Sequence, residues 1–191
     1  MEWSDSLEQL FKKTAEQFLS LRWTHDQAAR YTGKMNSYLT IPVIVLSGLA
    51  GLGSVGSDNL LPFSDSNILV GFISFVAGTL QTISSYYAFA KRAEAHRVAA
   101  IQYERIHRMI EFELQIDRKH RTDPASLIQK LKEEADRLNE ISPLLPSHSI
   151  DIFKKSFPSV EISVAPILNG LEPTKLLPSL SSRVKVSVIE V

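Results

Sequence analysis

Two stretches of this chain carry no charge, and they limit its architecture more than any other feature. Met35 to Ser57 and Ser66 to Ala90 contain no Asp, Glu, Lys or Arg. A helix needs about 20 mostly apolar residues to cross the hydrocarbon core of a bilayer, and each stretch reaches that length. The segment between them, Asp58-Asn-Leu-Leu-Pro-Phe-Ser-Asp65, has the composition of a turn. Its two carboxylates and its proline are costly inside lipid. The pattern predicts an all-α membrane protein built on a two-transmembrane helical hairpin over 35–90. A cytoplasmic amphipathic helix (1–34) precedes the hairpin, a cytoplasmic helical extension (91–145) follows it, and a Pro-rich, partly strand-like tail (146–191) closes the chain.

The basic residues set the orientation. Arg22, Arg30 and Lys34 stand before the first span, Lys91, Arg92 and Arg97 after the second, and the loop carries only Asp58 and Asp65. Cytoplasmic flanks concentrate Lys and Arg, so both termini are expected in the cytoplasm and loop 58–65 on the opposite side. The polar, acidic start Met-Glu-Trp-Ser-Asp is not that of a secretory signal peptide.

The first span contains Gly51-x-Gly53-x-x-Gly56, the spacing of a dinucleotide-binding loop. Such a loop opens a crossover helix and needs an acidic residue about 20 positions later. Here Asp58, Asn59 and Pro62 interrupt the chain, and the ribose position falls near Val76 in the second uncharged run. The glycines are therefore assigned to helix packing. Thr40, Ser47, Gly51 and Ser54 recur at helical spacing on span one, and Gly71, Ser74, Gly78, Thr82 and Ser85, with Gln81 beside them, on span two. Small residues let backbones approach closely in lipid. Two roles stay open for these stripes: holding the hairpin together, or lining a water-filled path in an oligomer, for which Gln81, Thr82 and Ser85 are suited. Pro42 falls in the first turns of span one, where no kink is expected.

The flanking segments read as helices. Leu7, Phe11, Thr14, Phe18, Leu21, His25 and Ala28 alternate steps of four and three, a coiled-coil-like seam for a partner helix. Trp23 and Tyr31 are expected near the membrane interface. After span two no breaker occurs before Thr122-Asp-Pro124, so the second span is expected to continue as one helix and to pack on the N-terminal one through Ala99, Tyr103, Ile106, Ile110 and Leu114. Asp123 is an expected N-cap with Pro124 at the first helical position, opening a third stripe of Leu127, Leu131, Ala135, Leu138 and Ile141 that Ser142-Pro143 stops. In the tail, Val160–Val164 and Val184–Val191 alternate as strands do.

Composition narrows the chemistry. The 191 residues balance 21 basic against 21 acidic side chains, without the basic excess of a nucleic-acid binder. The absence of cysteine removes thiol catalysis and Cys-based zinc sites. His107 and Glu111 share a helix face, but no His-Glu-x-x-His, phosphate loop or nucleophile elbow accompanies them. No enzyme activity, cofactor or metal is expected; the expected partners are membrane lipid, further copies of the chain and, through the C-terminal tail, a protein.

A two-span hairpin followed directly by KRAEAHRVAAIQYERIHRMIEFEL, Lys91 to Leu114, resembles the SLATT domain family. The matching elements are Ala93-Glu94-x-His96 just past the span, Tyr103 one heptad later, and a helix running into NEISPLLPSHSIDIF. That close resembles the version found in large DNA viruses and their hosts. The resemblance covers roughly Glu8 to Lys155 and implies a pore-forming, channel-like membrane effector. The alternative is a non-conducting membrane anchor or tether whose C-terminal tail docks a partner. Bacterial members accompany nucleotide-signalling conflict systems; with no sensor in these residues, a trigger is expected from a partner or from lipid.

Overall fold

The computed structural model describes residues 2–56, 66–159 and 161–170. Among the described residues six α-helices follow one another: α1 (Asp5–Gly56), α2 (Ser66–Tyr87), α3 (Phe89–Gln115), α4 (Pro124–Ile141), α5 (Ser147–Ser156) and α6 (Pro166–Asn169), with a 3-10 turn at Arg118–His120. The described residues form no strand. Two long, apolar helical stretches, in α1 and from Ile68 onward, meet the length and hydropathy needed to cross a membrane.

The amphipathic segment and the first span are one helix. Ser4 starts α1 by accepting the Leu7 N–H on its Oγ at 3.3 Å, and Asp5 and Glu8 lie in the first turn, where the helix dipole favours negative charge. Nothing then interrupts it for 52 residues, about 78 Å. Pro42 is thus interior to a helix rather than near its start. Its missing N–H leaves the Tyr38 carbonyl without its usual donor, which a helix in lipid tolerates better than one in water.

α3 runs back along the first half of α1. His96, Ala99, Tyr103, Ile106 and Ile110 from α3 and Leu7, Phe11, Ala15 and Phe18 from α1 are buried. The Phe18 and Tyr103 rings stack at 6.0 Å. α4 covers one side through Leu127, Leu131 and Leu138. Its start follows the expected geometry: Asp123 accepts the Ser126 N–H at 3.1 Å, and Pro124 occupies the first turn. At the far end Arg118 and Arg121 clasp Glu8, with Arg118 Nε 2.7 Å from Oε1, and Arg118 also pairs with Asp5.

Three expectations change. The second span does not pass unbroken into α3: Ala88 adopts the left-handed conformation, φ 48° and ψ 43°, between α2 and α3. The expected strand 160–164 is not one in its described part: Glu161 to Ala165 runs irregularly along α1, with the Ser163 N–H donating to Glu16 Oε2 and the Ala165 N–H to Ser20 Oγ. These side-chain acceptors take the place of a second strand. The expected strand 184–191 and the loop 58–65 lie outside the described residues. Finally, Trp23 packs edge-on against Phe153 of α5 and Phe157 just after it. It belongs to the bundle core formed with Val164, Ala165 and Leu168 rather than to a membrane interface.

The left-handed turn at Ala88 has a reason in the seam. Along α2 the less exposed positions include Val70, Ile73, Ala77, Leu80 and Ser84, a three-four alternation, with Val76 beside Ala77. Continued without a break, that phase would reach Ala88, Lys91, Ala95 and Val98. The buried set of α3 instead begins at His96 and Ala99, while Lys91 and Val98 are exposed. Ala88 rephases the helix so that Lys91 turns away from α1. A left-handed conformation costs a non-glycine residue about 1–2 kcal/mol. Ala88→Gly is therefore expected to stabilise the fold by about 1 kcal/mol, and Ala88→Val to destabilise it, in thermal unfolding of the detergent-solubilised chain.

Candidate functional site

The two spans meet along one seam and leave two broad sides open. On α1 the seam runs through Leu39, Val43, Leu46, Ala50 and Gly53, with Ala50 8% exposed; on α2 it runs through Val70, Ile73, Ala77, Leu80 and Ser84, with Ala77 5% exposed. Gly53 is the tightest point, where a Cβ would lie 2.8 Å from Val70 Cγ2. Gly53 belongs to the fingerprint-like cluster but not to the small-residue stripes; its signal was its register with Ala50 and Leu46.

The stripes themselves face away from this seam. Ser47, Gly51 and Ser54 on α1, and Gly71, Ser74, Gly78, Gln81, Thr82 and Ser85 on α2, are all exposed. A Cβ built on Gly51, Gly71 or Gly78 meets nothing within 4 Å. Within a single chain these residues do not join the helices; Thr40, partly buried, borders the seam. At 100° per residue the α1 stripe lies about 90°, and the α2 stripe about 120°, from the seam. The helices are both right-handed and run antiparallel, so offsets of the same sign fall on the same broad side of the hairpin. The opposite side carries Leu49, Leu52, Ile68, Phe72, Ile83 and Tyr86, all exposed.

The polar groups on the small-residue side differ in how far they are satisfied. Thr82 Oγ1 donates to the Gly78 carbonyl at 2.8 Å, so its hydroxyl costs little in lipid. Gln81 has only a long bond, Nε2 to Ser85 Oγ at 3.4 Å. Its carbonyl oxygen has no hydrogen-bond partner among the described residues.

Beyond the spans, Tyr103 and His96 meet His25 of α1. The His25 and His96 Nδ1 atoms are 3.0 Å apart, and the Tyr103 ring lies over His25 with centroids 5.4 Å apart. The Tyr103 hydroxyl bonds Ser142 Oγ at 3.2 Å, tying α3 to the end of α4. His25 is 2% and His96 4% exposed. Burial lowers His25 to about 4, with the His96 charge adding to it, and burial lowers His96, with Arg92 adding to it. Glu94 stands apart: it is exposed and bonds Arg97 through both oxygens, at 2.8 and 2.7 Å. His107, the residue that raised a metal possibility with Glu111, bonds the Ala15 carbonyl through Nδ1 at 3.1 Å and so ties α3 to α1. No group of three or more His, Asp or Glu among the described residues is placed to hold a metal.

Comparison with known families, curated proteins and solved structures finds no match in any of the three.

The seam and the outward glycines make opposite predictions. Gly53→Leu is expected to force the spans apart and destabilise the monomer by about 1–3 kcal/mol. Gly51→Leu meets open space and is expected to leave monomer stability unchanged. Thermal unfolding of the two variants in detergent, below the concentration at which copies associate, distinguishes them.

Proposed function

We propose that this chain is an integral membrane protein of SLATT type that assembles into oligomers and forms an ion-conducting path. Lipid is the fitting solvent for the spans, because only 6% of each apolar window is buried in the structure. A core helix of a water-soluble protein would bury most of such a window, and an apolar surface of this size in water marks an interaction face.

The observation that carries the pore reading is the sidedness of the hairpin. One broad side is aromatic and aliphatic, suited to acyl chains. The other presents glycines, hydroxyls and the unsatisfied Gln81 amide. Two spans enclose nothing by themselves, so a conducting path requires several copies with their small-residue sides turned inward. Close approach at Gly51, Gly71 and Gly78 supplies the packing that drives association in lipid, and Gln81, Thr82 and Ser85 supply polar groups for water and ions. The positive flanks Lys34, Lys91 and Arg92 place the helical bundle in the cytoplasm. The residues Glu94, His96 and Tyr103 that carry the family resemblance then form the collar just beyond the membrane.

Flux into liposomes reconstituted with the purified chain tests this reading, together with particle images that give the copy number. Gly78→Leu is expected to abolish both oligomers and flux while leaving the monomer folded. Gln81→Leu is expected to leave the oligomer intact and reduce flux at least tenfold. Oligomers that never leak would sink the pore and favour the membrane tether. That alternative is separated by truncation after Gly170: a tether loses its partner, whereas a pore still assembles. Cutting after Lys155 would not serve, because Val164, Ala165 and Leu168 belong to the bundle core.

A further inference from the structure

We infer that the buried His25–His96 pair is an acid-operated latch that holds α1 and α3 together where they leave the membrane. The geometry admits one hydrogen between two Nδ1 atoms 3.0 Å apart. In the neutral pair one ring donates and the other accepts. A first added proton goes to the Nε2 of the donor ring, and the bond survives. A second proton must go to the accepting Nδ1. Two N–H groups then face each other, the hydrogen bond is lost, and two positive charges lie side by side among buried groups. The helices are driven apart at that level.

Among the described residues no carboxylate pairs with either ring. On α1 the nearest carboxylate, Asp26, is bonded to Arg30 at 2.8 Å, and Arg22 lies 2.8 Å from Glu104 of α3. On α3, Glu94 is held by Arg97, and Arg92 adds positive charge near His96. Tyr103 contributes only its ring face. From α4 and the residues after it, Asn139, Ser142, Leu144 and Leu145 border the cavity of about 280 Å³ that also touches His25, and none of them titrates. From α6 the same cavity receives Pro166 and Ile167. α5 brings His148 against Tyr31, with ring centroids 4.5 Å apart, and its one carboxylate, Asp151, is exposed. The cavity gives protons a path to His25 without unfolding the bundle.

The sign of the effect follows from the direction of the shift. His25 is held from 6.5 down to about 4, so the folded pair binds fewer protons than the open one. Its contribution is complete above about pH 6.5 and is lost as the pH falls through about 4. The opposite end of the bundle behaves differently. The Arg118 and Arg121 guanidiniums bonded to Glu8 lower its carboxyl from 4.5 to about 2. That clasp is present above pH 4.5 and is lost only as the pH falls through about 2. Between these limits the far end stays pinned while the membrane-proximal end opens, which makes a wedge of the α1–α3 pair.

The opening stands independently of the pore reading; only its effect on flux rests on that reading. The chain has no cysteine, so two spin labels can be placed without background. Labels on Lys34→Cys and Lys91→Cys, both exposed positions, report the membrane-proximal end. Labels on Gln9→Cys and Gln115→Cys, also exposed, report the far end. In lipid nanodiscs the first distance is expected to lengthen as the pH falls from 6.5 to 4, with the second unchanged and helicity retained. The double variant His25→Leu/His96→Leu is expected to abolish the response. Should it fail to fold, His96→Asn keeps an acceptor for the His25 imidazolium and is expected to blunt the response. An invariant first distance, simultaneous movement of both distances with loss of helicity, or an undiminished response in a folded variant would each overturn the latch. With the latch confirmed, acid-dependent flux ties it to conduction, and acid-independent flux leaves the latch standing and removes only the coupling.

Discussion

With the spans in lipid, as proposed, a single helix, α1, has to satisfy two solvents, and the rest of the architecture depends on how it does so. Over its 52 residues the buried edge passes from Leu7, Phe11 and Phe18 through His25, Ala28 and Thr32 to Val43, Leu46, Ala50 and Gly53. The three-four alternation hardly changes along this path. What changes is the opposite face, which is charged up to Lys34 and uncharged from Met35 on. In water the seam is held by the removal of Phe and Ile side chains from solvent. In lipid that drive vanishes, and close contact at small residues replaces it. The composition of the seam follows: large side chains below Lys34, Ala50 and Gly53 above it. The partner strand of this long pair cannot keep one phase throughout, because Lys91 would fall in the seam, and a left-handed Ala88 supplies the correction.

How much of this was legible depended on whether the signal was local. Charge-free runs, the Asp123-Pro124 helix start and the stripe from Ala99 to Ile110 are properties of neighbouring residues, and each could be found in the sequence. The direction of the small-residue stripes was not legible, because either side of a helix can face its partner and only the register at Gly53 and Val70 decides which. Ala88 was hidden for a related reason: an alanine in an alanine-rich helix is a strong helix former, and the need to rephase exists only once both seams are known. The alternation at 160–164 misled because only Val164 of the described residues there is buried, while Ile162 is exposed. The irregular backbone of that stretch finds its acceptors on Glu16 and Ser20 instead of on another strand. Helix α5 carried too weak a signal, being short and opened by Pro146 without a capping side chain. Of the site, His96 and Tyr103 were visible as one helix face, but His25 was seen only as a seam position. The meeting of the two imidazoles is a contact across 71 residues of sequence.

The two functional proposals are linked by mechanics. On the small-residue side of the hairpin the Thr82 hydroxyl is satisfied within its own helix by the Gly78 carbonyl, and the Gln81 amide has only its long bond to Ser85. Association through such a face is weak for each chain and sensitive to the angle at which two backbones approach, since close contacts lose about a quarter to a half of their dispersion energy within an ångström of separation. The angle between the spans is set where α1 and α3 approach the membrane, and the histidine pair sits five residues beyond Lys91 and nine before Lys34, close to that point. A shift of the helices there tilts the spans before it disturbs the Glu8 clasp at the far end. A buried pair without a counter-charge is costly as a mere packing element, because leucines would fill the same space without a desolvation penalty. Its place at the mouth of a hairpin with one associating side is where a small change in helix separation has the greatest effect on how copies fit together.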